Sequence, residues 1–206
     1  MPRFLILGLT GGIASGKSEV GRILTSLGAG VVDSDQVARD VVAPGSDGLE
    51  EIREKFGTGV LTPEGELDRT AMREIVFADP AKCKILESIT HPRIFLNVGQ
   101  KLQQFREEGR PAGVVEAALL METNAPYPFD AMIAVVAGAE TQAERVRARN
   151  DWPEAQIQGA LAAQLSDDER RERADYIIEN FGNLDELDTQ TRAVWDRILQ
   201  DFAEAT

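Results

Sequence analysis

The residues with the clearest chemical purpose are Gly11-Gly12-Ile13-Ala14-Ser15-Gly16-Lys17-Ser18. They fit the pattern G-x-x-x-x-G-K-[ST] in full. Glycines let a chain wrap closely enough to aim successive backbone N–H groups at phosphate oxygens. A helix starting near Lys17 would add its unpaired N–H groups and its positive dipole end. Lys17 brings a full charge to the β- and γ-phosphates, and Ser18 brings a hydroxyl to Mg²⁺. The expected ligand is the phosphate chain of a nucleoside triphosphate. A second pair of groups lies in Val31-Val32-Asp33-Ser34-Asp35. A carboxylate ending a strand beside such a loop can orient an acceptor hydroxyl and take its proton. The plainer alternative is that Asp33 or Asp35 caps a helix at 36–42. Asp35 suits the cap, and Asp33 suits the chemistry.

These residues need elements to hold them. Phe4, Leu5, Ile6, Leu7 and Leu9 form a nearly continuous apolar run, as in a strand buried on both faces. Val20, Ile23, Leu24 and Leu27 then repeat at helical spacing, and Gly28 and Gly30 end the helix. Val31-Val32 starts a second strand that stops at Asp33. Further strands are expected at Val114-Val115, at 132–136 and at 176–178. Between and after them, helices are expected at 141–150, at 154–173 and at 184–202. In the helix at 154–173, Asp151 would be the N-cap and Pro153 would lie in the first turn. Strands alternating with helices predict an α/β protein with a mostly parallel five-stranded, doubly wound sheet. In such sheets ligands bind at the carboxyl ends of the strands.

One region breaks the alternation. From about 48 to 109 helical patterns dominate, at 70–77, 81–89 and 94–106, punctuated by Pro63 with Gly65, Asp79-Pro80 and His91-Pro92. The expected organisation is therefore a core of 1–47 and 110–206 carrying a helical insertion at about 48–109.

The whole chain narrows the choice of partners. It has 206 residues, 43% of them hydrophobic, with a formal net charge of −13. That charge argues against a nucleic-acid binder and against docking on an anionic membrane. Cys83 is the only cysteine, which excludes an internal disulfide and fits a reducing cytoplasm. No apolar run is long enough for a membrane helix, and the short N-terminal one lacks a signal-peptide cleavage site. No Asn-Lys-x-Asp guanine-reading motif occurs. A small-molecule kinase of the P-loop type fits better than a switch or a motor.

The ordered motifs then resemble one family. They are Leu9-Thr10-Gly11-Gly12-Ile13, Val32-Asp33-Ser34-Asp35 with Ala38-Arg39, Val41-Val42 and Pro44-Gly45, and Thr90-His91-Pro92. Next come Leu119-Leu120 with Glu122, Phe129-Asp130, Arg145 and Arg149, Ala162-Ala163-Gln164, and Ile178 with Asn180 and Gly182. In this order they resemble the dephospho-CoA kinases, which phosphorylate the 3′-hydroxyl of dephospho-CoA with ATP. The resemblance implies that Asp33 is the base and that Lys17 and the loop from Gly11 to Ser18 hold ATP. Ser18 would help to hold Mg²⁺. A helical lid at about 140–173 would bring Arg145 to the transferring phosphate, assisted by Arg149, and Asn180 would run beside the adenine. The insertion would be the CoA-binding part, with the acceptor entering between it and the core. His91, Leu119, Leu120 and Glu122 would lie on the acceptor side. His91 alone could equally satisfy a turn, and the arginines could form a solvated face with Glu140 and Glu144. The implied partners are ATP and dephospho-CoA, with no obligatory protein partner, in the cytoplasm.

The chain departs from that pattern at one place. The family usually reads Asp-x-Pro-Leu-Leu where this chain has Glu116-Ala117-Ala118-Leu119-Leu120. Glu116 keeps the carboxylate on a longer arm. It could order a metal-bound water or be a buried structural acid. The residue-level alternatives are another P-loop kinase acting on a nucleoside, nucleotide or sugar, and a nucleotide-dependent switch.

Overall fold

The computed structural model describes residues 3–123 and 127–204. In chain order the elements are β1 (Leu5–Gly11), α1 (Lys17–Ser26), β2 (Gly30–Asp33), α2 (Ser34–Asp40), α3 (Asp47–Phe56) and a 3₁₀ turn at Thr58–Val60. Then come α4 (Arg69–Ala78), α5 (Pro80–Glu107), β3 (Ala112–Glu116), β4 (Ala131–Val136) and α6 (Ala139–Arg149). The last elements are α7 (Glu154–Ala162), α8 (Asp167–Arg173), β5 (Tyr176–Glu179) and α9 (Leu184–Glu204).

The five strands form one sheet in the order β2-β3-β1-β4-β5. Every pairing in it is parallel. The order explains where a ligand belongs. The chain leaves β1 toward β2 on one side and later crosses to β4 and β5 on the other, so the switch point lies at the carboxyl end of β1. Leu5, Leu7 and Leu9 of β1 pack with Val20, Ile23 and Leu24 of α1, Ile133 and Val135 of β4, and Leu187, Trp195 and Ile198 of α9. Each such side chain contributes about 1.5–3 kcal/mol by leaving water, and together they fix the strand ends on which the site is built.

The chain divides into two compact units, Met1–Asp33 with Leu102–Thr206, and Ser34–Lys101. The second unit thus begins and ends earlier than 48–109. It takes in α2, because the turn after α2 binds that helix to α3. The hydroxyl of Ser46, the N-cap of α3, accepts from Leu49 N at 3.2 Å and donates to Val41 O at 3.0 Å. The end of α5 belongs with the sheet for a similar reason. Phe105 packs so closely on β2 that a Cβ on Gly30 would meet its ring at 2.1 Å.

Two helical expectations are corrected. The segments at 81–89 and 94–106 are one helix, α5, with Pro92 inside it. Proline removes one donor and crowds the preceding turn. Here Arg93 Nη1 donates to Ile89 O at 2.7 Å, next to the carbonyl that Pro92 leaves without an amide partner. Conversely, the single helix expected at 154–173 is two, α7 and α8. Ser166 and Glu169 form a reciprocal capping box that starts α8, and the N-cap of α7 is Pro153 rather than Asp151. Among the described residues no helix is long and apolar enough to cross a membrane.

Candidate active site

The site begins at the end of β1, where the buried strand turns into the glycine-rich loop. Gly16 has φ 96° and Ala14 φ 55°. The left-handed region suits glycine and strains alanine. These turns let the loop close on itself, with Ser15 N donating to Gly12 O at 3.1 Å, and deliver Lys17 as the first residue of α1. The side chains of Ile13 and Ala14 pack on a small apolar cluster of Ala143, Val146 and Ile157. The loop is therefore seated on α6 and α7.

The neighbouring strands end in acids. Asp33 of β2 and Glu116 of β3 are register partners, so the two carboxylates stand at one level of the sheet. Glu116 is only 4% exposed. Its Oε1 accepts from Lys17 Nζ and from Ser18 Oγ, both at 2.8 Å. A charge pair this well buried has good geometry and an extra hydroxyl donor, which such pairs need to offset desolvation. Asp33 is exposed, and α2 starts at the next residue. Asp35 therefore lies within the first turn of α2 and not before a helix at 36–42.

From the other side, Arg145 of α6 reaches the back of the loop. Its Nη1 lies 3.4 Å from Ala14 O and 3.5 Å from Ser15 O, and its Nη2 donates to Asn180 O at 3.1 Å. The buried Asn180 follows β5, and its Nδ2 donates to Ser15 O at 2.8 Å. Arg145 and Asn180 thus stand at the loop, whereas Arg149 is exposed at the end of α6. The solvated-face alternative describes Arg147, which pairs with Glu154 rather than with Glu140 or Glu144.

The segment after β3 carries Ala118 where the family usually has proline. Ala117 N donates to Leu9 O at 3.1 Å and Thr10 Oγ1 donates to Ala118 O at 3.2 Å, which holds the backbone beside β1. Leu119 beyond it is 42% exposed, and Leu120 is buried toward Gly8. Glu122 accepts from Leu165 N at 3.2 Å and lies 3.4 Å from Arg170 Nη2. His91 belongs to the second unit, exposed on α5 with its ring 5.7 Å from that of Phe95.

Sequence reasoning assigned no site role to Gln142, Gln164 or Arg170. Gln164 Oε1 accepts from the loop amide of Ile13 at 2.8 Å. Arg170 is 2% exposed and donates to Leu165 O. Burial pulls its pKa below the ordinary arginine value, against the opposing pull of Glu122 and Asp167. Asp167 in turn accepts from the amides of Ala137 and Gly138. The Ser166-x-x-Glu169 pattern was the available signal for this joint. Nothing in the charged run Asp167–Arg173 signals that Arg170 is buried.

Among the described residues there is no cluster of three acidic, His or Cys side chains that could hold a metal on its own. Magnesium does not need one, since it is commonly held by one or two protein oxygens, waters and substrate phosphates. The Ser18 hydroxyl beside the Glu116 carboxylate is an oxygen donor set of that kind.

A phosphate loop at the switch point of a parallel sheet, with its lysine and serine on a buried acid, defines a P-loop nucleotide-binding protein. A family model described as dephospho-CoA kinase matches residues 5–186. The chain belongs to the dephospho-CoA kinase family. A dephospho-CoA kinase of Thermobifida fusca is 44% identical over 196 residues, covering 94% of this chain and 96% of that one. The crystal structure of a Thermus thermophilus protein superposes with a TM-score of 0.81 at 30% identity, covering 95% of this chain and 98% of that chain. The dephospho-CoA kinase from Campylobacter jejuni does so with a TM-score of 0.68 at 27% identity, at the same coverage.

Proposed function

We propose that this chain transfers the γ-phosphoryl group of ATP to the ribose 3′-hydroxyl of dephospho-CoA, giving CoA and ADP in the cytoplasm. The observation that carries the reading is the meeting of Lys17 and Ser18 on Glu116, level with Asp33 at the strand ends. The loop amides and Lys17 hold the phosphates. Asp33 orients the 3′-hydroxyl and accepts its proton as the oxygen bonds to phosphorus. The bond to the bridging oxygen breaks, and ADP leaves. Ser18 and Glu116 would hold Mg²⁺, which when bound neutralises charge on the phosphate oxygens. Arg145 braces the loop through the carbonyls of Ala14 and Ser15, and Asn180 fixes the same turn beside the adenine. Arg149 assists from the exposed end of α6. The helical unit, with His91, serves the acceptor, together with Leu119, Leu120 and Glu122.

Product identification tests this reading. Incubation with ATP, Mg²⁺ and dephospho-CoA is expected to yield a product one phosphate heavier, sensitive to a 3′-nucleotidase. A product phosphorylated elsewhere, or none while nucleoside monophosphates are phosphorylated, contradicts it.

A further inference from the structure

The loop has polar neighbours with unused hydrogen-bonding capacity. Gln142, in the first turns of α6, is 5% exposed, and its Nε2 has no hydrogen-bond acceptor among the described residues. Arg170 of α8 is 2% exposed, and its Nε likewise has none. Both side chains converge on one point of the loop. A Cβ built on Gly12 would lie 2.6 Å from Gln142 Nε2 and 3.4 Å from Arg170 Nη1. A side chain at position 12 would therefore have to displace the Gln142 amide.

Buried donors without acceptors are costly and rare, so such a pair aimed at a loop calls for an acceptor that arrives with the ligand. Most nearby protein acceptors are already committed, and the two buried oxygens that are not, Glu122 Oε2 and Ser15 Oγ, make no hydrogen bond to either donor. Gln164 Oε1 takes the Ile13 amide, which also removes that amide as a donor to phosphate. Asp167 accepts from Ala137 and Gly138, and Glu122 Oε1 accepts from Leu165 and Arg170. Glu122 and Asp167 offset the charge of Arg170. The neutral amide of Gln142 is consequently the donor best placed to serve a ligand oxygen. Phosphoryl transfer spreads charge over three oxygens of the terminal phosphoryl group, more than one lysine can serve.

We propose that Gln142 Nε2, which shares its place at Gly12 with the Arg170 guanidinium, donates to an oxygen of the terminal phosphoryl group of the bound nucleoside triphosphate. This rests on the reading that the loop Gly11–Ser18 holds ATP. Gln142 then distinguishes triphosphate from diphosphate and stabilises the group in flight, and Gly12 is the gap through which it reaches.

The test compares ATP and ADP, which differ by that phosphoryl group. Gln142→Met keeps the side-chain volume and deletes the donor. Calorimetric titration of the full chain is expected to show ATP affinity weakened about tenfold, the scale of a lost hydrogen bond to a charged oxygen. ADP affinity should stay within about twofold, since ADP lacks the phosphoryl group that Gln142 serves. Transfer to dephospho-CoA should fall by at least the same factor as ATP affinity. Arg170→Lys is expected to shift the ATP-to-ADP ratio in the same direction. Equal losses for both nucleotides, or an unchanged ratio in the Met variant, would overturn the proposal and leave Gln142 a packing residue. A wild-type chain that binds neither nucleotide would instead refute the loop reading beneath it.

Discussion

Glu116 meets two demands with one oxygen. Lys17 and Ser18 both donate to its Oε1, so truncating it strands a largely buried ammonium. Glu116→Ala is expected to cost about 3 kcal/mol of stability, read as a lower urea midpoint. Saturating ATP should shrink that deficit, because phosphate oxygens replace the lost carboxylate. Asp33 makes a different prediction. Asp33→Asn should leave ATP affinity intact while transfer falls about 10²-fold or more. An unchanged rate in a steady-state assay would reject Asp33 as the base. Lys17→Ala should damage both binding and turnover. The sequence named these residues because each sits in a motif whose spacing has a direct physical purpose. Gln142 and Arg170 escaped notice for the opposite reason. Their importance comes from burial against Gly12, a contact between residues more than a hundred positions apart.

At the scale of elements, the joint between α7 and α8 and the clip between α6 and α7 are separately testable. Ser166→Ala removes the hydroxyl that caps Glu169 N and should cost about 1 kcal/mol, seen as faster amide exchange in α8. The clip is the Arg147–Glu154 pair. The Arg147 guanidinium and the Gln158 amide hydrogen-bond Glu154 and lower its carboxyl pKa from 4.5 to about 2. Because the folded pKa is depressed, its stabilising effect is complete above about 4.5 and fades as pH falls toward about 2. The pair is exposed, so the effect is small and salt weakens it further. Glu154→Ala should therefore lower the unfolding midpoint slightly at neutral pH and low salt, and match the wild type near pH 2. Strand positions were legible in the sequence because β1, β3 and β4 are buried on both faces and read as apolar runs. The helix breaks were not. Pro92 looks like a terminator, yet α5 runs through it with Arg93 Nη1 donating to Ile89 O in the preceding turn, and the polar joint at Ser166 hides inside a continuous helical periodicity.

At the scale of the molecule, a net charge of −13 belongs to a protein whose proposed substrates are themselves polyanions. The contrast resolves because net charge governs solubility and encounters, whereas binding depends on local donors. Lys17, the loop amides, Arg145 and the amide of Gln142 gather at one end of the sheet. The chain divides into two compact units, and in the sequence a helical stretch interrupts the alternation of strands and helices. The second unit starts at Ser34, and the turn before α3 ties α2 to α3 through Ser46. The most direct test of the whole account is the rate of ADP release measured with and without dephospho-CoA at saturating ATP and Mg²⁺. The account predicts a slow basal rate that rises by orders of magnitude when dephospho-CoA is added. It also predicts that CoA, whose 3′-oxygen is already phosphorylated, gives no rise. A rate indifferent to dephospho-CoA, or one stimulated equally by CoA, would contradict it.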